Sequence, residues 1–255
     1  MKHIFHNPDN QQINVMDQRF YTNDGMNYYP SVTTVLEAFP ASWALVQWKK
    51  AVGFNADIIL EKAAAEGSNI HDAVERCLRG ELITYHQYNI TEWQCIVRFV
   101  EFWTTVAPAL VASEIMIVSV NYRLGGTIDI VCMIGNERWI IDVKSSNSMH
   151  DTMEYQIAAY AMMWNDQHPN APIQRCGILH LKADTRGPDK TGKRMQGKGW
   201  KLHEYPRHYT DAWRIFEHLR VVWDECNPDC RPANVTYPDR VQLQLQSEAS
   251  LKQAV

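Results

Sequence analysis

Gly125-Gly126-Thr127-Ile128-Asp129-Ile130-Val131-Cys132-Met133-Ile134-Gly135-Asn136-Glu137-Arg138-Trp139-Ile140-Ile141-Asp142-Val143-Lys144 decides how the chain reads. Two apolar, β-prone runs flank Gly135-Asn136, a dipeptide suited to a tight two-residue hairpin turn. With Ile134 and Glu137 bounding the turn, Asp129 lies opposite Asp142 and Thr127 opposite Lys144. Opposed residues of an antiparallel pair share a face, with Cβ atoms roughly 4.5–5.5 Å apart. Alternation puts Asp142 and Lys144 on that same face. One face then carries two facing carboxylates and an ammonium, while Ile128, Ile130, Cys132, Trp139, Ile141 and Val143 make the other continuously apolar. Like charges set opposite each other destabilise a sheet, more so in a partly apolar setting. A hard divalent cation bound by oxygen ligands offsets that repulsion. The bland alternative, a surface hairpin with solvated acids, fits poorly with so much apolar area beside the charges.

The surrounding chain has room for such a buried hairpin. Its 255 residues are 45% apolar and 21% charged, which suits one large domain, or one with an appended subdomain. The net charge of −4 announces no global attraction to nucleic acid. The charge is uneven, however: residues 182–201 hold seven Lys and Arg against two Asp, so the remainder is the more acidic. Within that segment Lys190, Lys193, Arg194 and Lys198 sit on a Gly-rich loop, 184–199, suited to grasping DNA by its phosphates without reading sequence. A solvated loop that serves solubility is the alternative. No apolar run reaches the roughly 18 residues of a membrane span, and the N-terminus lacks the apolar core of a secretory signal. The six cysteines are scattered and mostly in apolar surroundings, as in reduced cytoplasmic proteins. Cys226 and Cys230, four apart, do not make a zinc or iron–sulfur site.

Periodicity and turn signals divide the rest. Residues 1–29 read as short strands and turns. Ser31 or Thr33 caps a helix running to about Phe39, and a second helix spans Trp43 to Ala51, with Trp43 and Trp48 as packing residues. A helical pattern from Phe54 to Arg79, kinked near Gly67, sets His71 and Glu75 one turn apart on one face. Another helix covers Thr91 to Val106. Strands follow at Leu110–Val120, in the central hairpin and at Pro172–Ala183, with a helix over Thr152 to Gln167 between the last two. Gln156 and Tyr160 are i,i+4 neighbours on that helix. Trp200–Tyr205 reads as a returning strand, and His208 to Cys226 as a terminal helix burying Trp213, Phe216, Leu219 and Val222. The order is an α/β one, a mixed sheet with antiparallel strands and one crossover. We expect a single domain over 1–238, with its core about 54–205, and a Gln-rich tail at 239–255 that is disordered.

The chain resembles the PD-(D/E)XK nuclease superfamily, in its RecB/Cas4-like branch with phage exonucleases and the mitochondrial genome maintenance exonuclease. The resemblance rests on Pro30-Ser31-Val32-Thr33, Gly67-Ser68-Asn69-Ile70-His71, Gly126-Thr127-Ile128-Asp129, Ile140-Ile141-Asp142-Val143-Lys144 and Gln156-Ile157-Ala158-Ala159-Tyr160, in this order across about 30–183. It implies a restriction-endonuclease-like αβββαβ core with an N-terminal helical elaboration. It implies a DNA exonuclease that hydrolyses phosphodiester bonds with one or two Mg²⁺ or Mn²⁺ ions. His71, Asp129, Asp142 and the Val143 carbonyl would be metal ligands, and Lys144 the catalytic lysine. Gln156 and Tyr160 would orient the lysine or the DNA strand, and Ser31 and Thr33 would sit near the bound backbone. Glu114 occupies the place of an acidic residue on the preceding strand, reaching metal directly or through water. The four cysteines of the cluster-bearing relatives are missing, so no iron–sulfur cluster is expected. The partners implied are single- or double-stranded DNA ends and a single-strand annealing or recombination protein, in the cytoplasm, of the host if the protein is phage-encoded. An endonuclease of the same superfamily, and a DNA-binding recombination accessory without activity, are the alternatives.

Overall fold

In chain order the strands are β1 (Lys2–Phe5), β2 (Gln12–Val15), β3 (Gln18–Tyr21), β4 (Tyr29–Pro30), β5 (Ala109–Ser119), β6 (Leu124–Ile134), β7 (Glu137–Lys144), β8 (Arg175–His180), β9 (Lys201–Glu204) and β10 (Pro232–Val235). The helices are α1 (Val32–Leu36), α2 (Trp43–Val52), α3 (Asn55–Leu78), α4 (Ile90–Val106), α5 (Asp151–Gln167) and α6 (Tyr209–Cys226). The computed structural model describes residues 2–5, 11–15, 18–182, 199–228, 232–235 and 242. The basic loop residues Lys190, Lys193, Arg194 and Lys198, and the tail beyond Pro238 apart from residue 242, lie outside them. None of the helices described is long and apolar enough to cross a membrane.

The centre is a five-stranded mixed sheet of order β5-β6-β7-β8-β9. Its β6–β7 hairpin has the register the sequence dictates, from Ile134 opposite Glu137 to Ile130 opposite Ile141. Gly135 takes φ +60 at the first turn position, which a type II′ turn requires and glycine adopts at no steric cost. β7 and β8 run parallel, joined through α5, so their carboxyl ends reach the same sheet edge, where β6 begins. Two apolar clusters cover the sheet. On one face α1, α5 and α6 bury Val35, Ile157, Tyr160, Phe216 and Trp223 against Ile128, Val131 and Ile140. On the other, α3 and α4 bury Ile70, Val74, Phe99 and Phe102 against Ile130, Cys132, Ile141 and Val143. Ile128 and Ile130, expected on one face, thus fall into different cores. The ladder to β7 ends at Ile130, and simple alternation does not carry through Asp129.

Several elements differ from the sequence reading for identifiable reasons. Helix α3 runs unbroken through Gly67, because one glycine costs a helix only about 1 kcal/mol and the half of α3 beyond it packs against α4 through Ile70 and Val74. Trp43 is mostly exposed and α2 buries no residue, so Trp43 is not a packing residue. In α6 the buried stripe is Ala212, Trp213, Phe216, Arg220 and Trp223, and Val222, off that stripe, is exposed. Strand β8 starts at Arg175 rather than Pro172.

A second, three-stranded sheet (β2-β3-β4) docks at the start of β6, where Ser31 bridges Gly125. Glycine is required there. A Cβ on Gly125 would lie 2.2 Å from the Tyr21 Cβ, and one on Gly126 2.5 Å from Tyr160 Cε1. At Gly67 an added Cβ would meet only Ser145 Oγ, at 3.7 Å. Gly126→Ala should therefore destabilise the fold by about 1–3 kcal/mol through overpacking, while Gly67→Ala should stabilise it by roughly 0.5–1 kcal/mol. Denaturant unfolding measures both, and shifts of the same sign would contradict this packing.

Candidate metal centre

The edge where β7 and β8 end and β6 begins opens into a cleft of about 670 Å³. Three elements deliver the triad of His71, Glu114 and Asp129 that faces it. Helix α3 presents His71, one residue after Ile70, which is fully buried and anchors that turn. The helix is fixed against α4 by Asn69 Nδ2, which donates to the buried Glu92 at 2.7 Å. Glu92 also closes the capping box of α4 with Asn89. Strand β5 presents Glu114 and strand β6 presents Asp129. Oxygens of Glu114 and Asp129 lie 3.8 and 3.5 Å from His71 Nδ1, and ligand atoms of all three side chains fall within 4.8 Å of one another. This triad can hold a metal ion.

Glu114 reaches the cluster by a distorted backbone. Its φ is +47, a left-handed conformation that costs a non-glycine residue of order 1–3 kcal/mol and gathers at functional sites. Ser113 pairs with Ile130 and Ile115 with Ile128 on either side of it. The glutamate is thereby placed across from Asp129.

Asp129 is not paired with Asp142 through the ladder, which stops at Ile130–Ile141. Its carboxylate instead accepts the amide of Val143 at 2.7 Å. Thr127 pairs with Met116 on β5 rather than standing opposite Lys144. Asp142 is buried, and its Oδ2 lies 2.7 Å from Lys144 Nζ. It stands at the edge of the triad, close enough for its charge to act on His71. Gln156 Nε2 donates to the Tyr160 hydroxyl at 3.4 Å, so the partner of Lys144 is Asp142 and that of Gln156 is Tyr160. Val143, Gln156 and Tyr160 all line the cleft. So do Ser31 and Thr33, with different freedom. Ser31 is buried, and its hydroxyl caps α1 and bonds both Thr33 and Thr34. Thr33 is exposed.

The charges perturb one another strongly. Asp129, chiefly, and Glu114 push His71 up to about 9 against the opposing effect of burial. Burial pushes Asp142 up to about 6, with Asp129 adding to the rise and Lys144 opposing it. Lys144 is disfavoured as a cation by burial, yet Asp142 and Asp129 outweigh this and raise its pKa. Burial also raises the Tyr160 phenol. The imidazolium of His71 thus occupies the acid cage as a cation would.

Sequence reasoning missed Gln12, Arg19 and Tyr21, which also line the cleft, as does Lys182, legible only as part of the basic segment 182–201. Tyr21 bonds the Thr127 hydroxyl at 3.2 Å. The signal available for it was Gly125, whose missing side chain the Tyr21 ring covers. No protein-family model matches the chain, and no curated protein matches it either.

Because the His71 proton and a metal ion compete for the same carboxylates, binding must displace the proton. In the metal-free protein the raised His71 pKa stabilises the fold fully below its ordinary 6.5, and this contribution is lost as pH rises through about 9. Mn²⁺ affinity should therefore climb between about pH 6.5 and 8.5, by roughly tenfold per unit, with about one proton released. Calorimetric titration in buffers of different ionisation enthalpy measures this. An affinity independent of pH over that range would contradict the assignment of His71 to the site.

Proposed function

We propose that this chain is a metal-dependent DNA nuclease of the PD-(D/E)XK type, working as an exonuclease with Mg²⁺ or Mn²⁺. The observation that carries this reading is the His71–Glu114–Asp129 triad with the Asp142–Lys144 pair beside it, at the open ends of a mixed α/β sheet. One imidazole and several carboxylate oxygens suit a hard divalent cation better than a soft one. His71, Glu114 and Asp129 would hold it, with Asp142 and Val143 next to them. When bound, such an ion lowers the pKa of a water and neutralises charge on the transferring phosphate.

The protein's own groups supply the rest. Lys144 is an ammonium at neutral pH, since the acids beside it raise its pKa, so it does not act as a free base. Its part is to orient the attacking water and to stabilise charge developing on the phosphate. Asp142 holds that ammonium in place at 2.7 Å. Asp129 is fixed by the Val143 amide, so one ligand is set before any ion arrives, which reduces the reorganisation required at reaction. Gln156 and Tyr160 form the cleft wall supplied by α5. Thr33, exposed at the N-terminus of α1, is available to a bound backbone.

Incubation of 5′- and 3′-labelled linear DNA with Mg²⁺, Mn²⁺ or chelator tests the activity. Linear DNA should be degraded only with metal, and circular DNA should stay intact. Cleavage of circles would make the enzyme an endonuclease, and no cleavage of any substrate would overturn the reading. Lys144→Ala should reduce cleavage by at least about 100-fold with Mn²⁺ affinity kept. Asp129→Asn should lose Mn²⁺ affinity as well. Full activity in Lys144→Ala would contradict the role given to the lysine.

A further inference from the structure

A cleft lined by Asp72, Glu75, Glu114, Asp129 and Asp142 repels a polyanion unless cations face it. Two of its cations are already engaged, Lys144 with Asp142 and His71 with Glu114 and Asp129. Two others are not. Among the described residues, neither the guanidinium of Arg19 nor the ammonium of Lys182 has a carboxylate within ion-pair distance or a hydrogen-bond partner. The guanidiniums of Arg76, Arg79, Arg98, Arg175, Arg207 and Arg220, by contrast, are each bound to a carboxylate or a carbonyl. The cations left free thus include two that face the cleft.

Their placement is fixed by the topology. Arg19 lies on β3, whose sheet docks at the start of β6, with Tyr21 over Gly125. Its backbone is pinned by Thr34, whose Oγ1 accepts the Arg19 amide at 3.0 Å. Lys182 follows β8, and the Leu181 amide before it donates to the Lys144 carbonyl at 2.8 Å. In the strand order β7 stands between β6 and β8. Asp142 and Lys144 are therefore flanked by Arg19 on the β6 side and Lys182 on the β8 side.

We propose that Arg19 and Lys182 are phosphate contacts on either side of the reacting phosphodiester. They define the track of the nucleic-acid strand, from the β3 sheet over Asp129 and Asp142 to the end of β8. The inference rests on the nuclease reading and deepens it. Phosphate contacts fix the position of a strand without reading its bases, which suits an enzyme that degrades any sequence. Both residues act on substrate binding rather than on the reacting atoms.

The test uses the full chain, a fluorescein-labelled single-stranded oligodeoxynucleotide and Ca²⁺ in place of Mg²⁺, with affinity measured over a salt series. Arg19→Gln and Lys182→Gln should each weaken binding and make the salt slope shallower by about 0.7, the share of one single-strand phosphate contact. The charge-keeping Arg19→Lys and Lys182→Arg should restore the slope. With Mg²⁺, the Gln variants should raise KM severalfold and leave kcat within about twofold, as for groups that bind ground and transition states equally. Unchanged slopes in both Gln variants of a chain that does cleave DNA would overturn the track alone. A wild-type chain that neither binds nor cleaves would overturn the track and the nuclease reading together.

Discussion

Asp129 spends its carboxylate on a backbone amide, and the site follows from that bond. At 2.7 Å from the Val143 nitrogen, Asp129 Oδ2 replaces the carbonyl that a continued ladder would provide. The hairpin stops pairing one residue earlier, at Ile130 and Ile141, and the strands beyond are free to present side chains into a cleft. A buried amide left without a partner would cost about 1–3 kcal/mol, so the aspartate is held in one orientation by the fold itself. The same oxygen lies 3.5 Å from His71 Nδ1, and Oδ1 takes no part in that amide bond.

The scaffold around that bond removes freedom from each neighbour in turn. Tyr21 and Tyr160 cover Gly125 and Gly126 at the start of β6, which fixes the strand that carries Asp129. Asn69 and Glu92 tie α3 to α4, which fixes the helix that carries His71. Glu114 is held at positive φ between two regular pairs of the β5–β6 ladder. The result is three acids, an imidazole and an ammonium crowded at one sheet edge, with raised pKa values on His71, Asp142 and Lys144 that report the crowding. Ionisable groups perturbed in this way gather at functional sites more often than elsewhere.

The hairpin register was legible from residues 125–144 because Gly135-Asn136 fixes the turn and period two fixes the faces. Its end was not, since nothing in the spacing tells a carboxylate from a carbonyl as the acceptor for Val143. The resemblance of the sequence to the nuclease superfamily points to His71, Glu114 and Asp129 as ligand candidates one by one. What could not be read was that these three close on one another while Asp142 pairs with Lys144, for that depends on the left-handed turn at Glu114. Ser31 was legible as a helix cap, and its hydroxyl is engaged by Thr33 and Thr34. Arg19 carried no signal, and Lys182 stood out only as the first cation of the basic segment 182–201, because its place beside the cleft depends on where the end of β8 meets β7.

The proposed function requires a divalent ion seated among His71, Glu114 and Asp129. Crystals grown at alkaline pH and soaked in Mn²⁺ test it through anomalous scattering. The expected result is a peak bound by His71, Glu114 and Asp129 at distances on the order of 2 Å, next to the Asp142–Lys144 pair. A cleft with no peak, or an ion bound elsewhere while the imidazole still rests on its two acids, would contradict it.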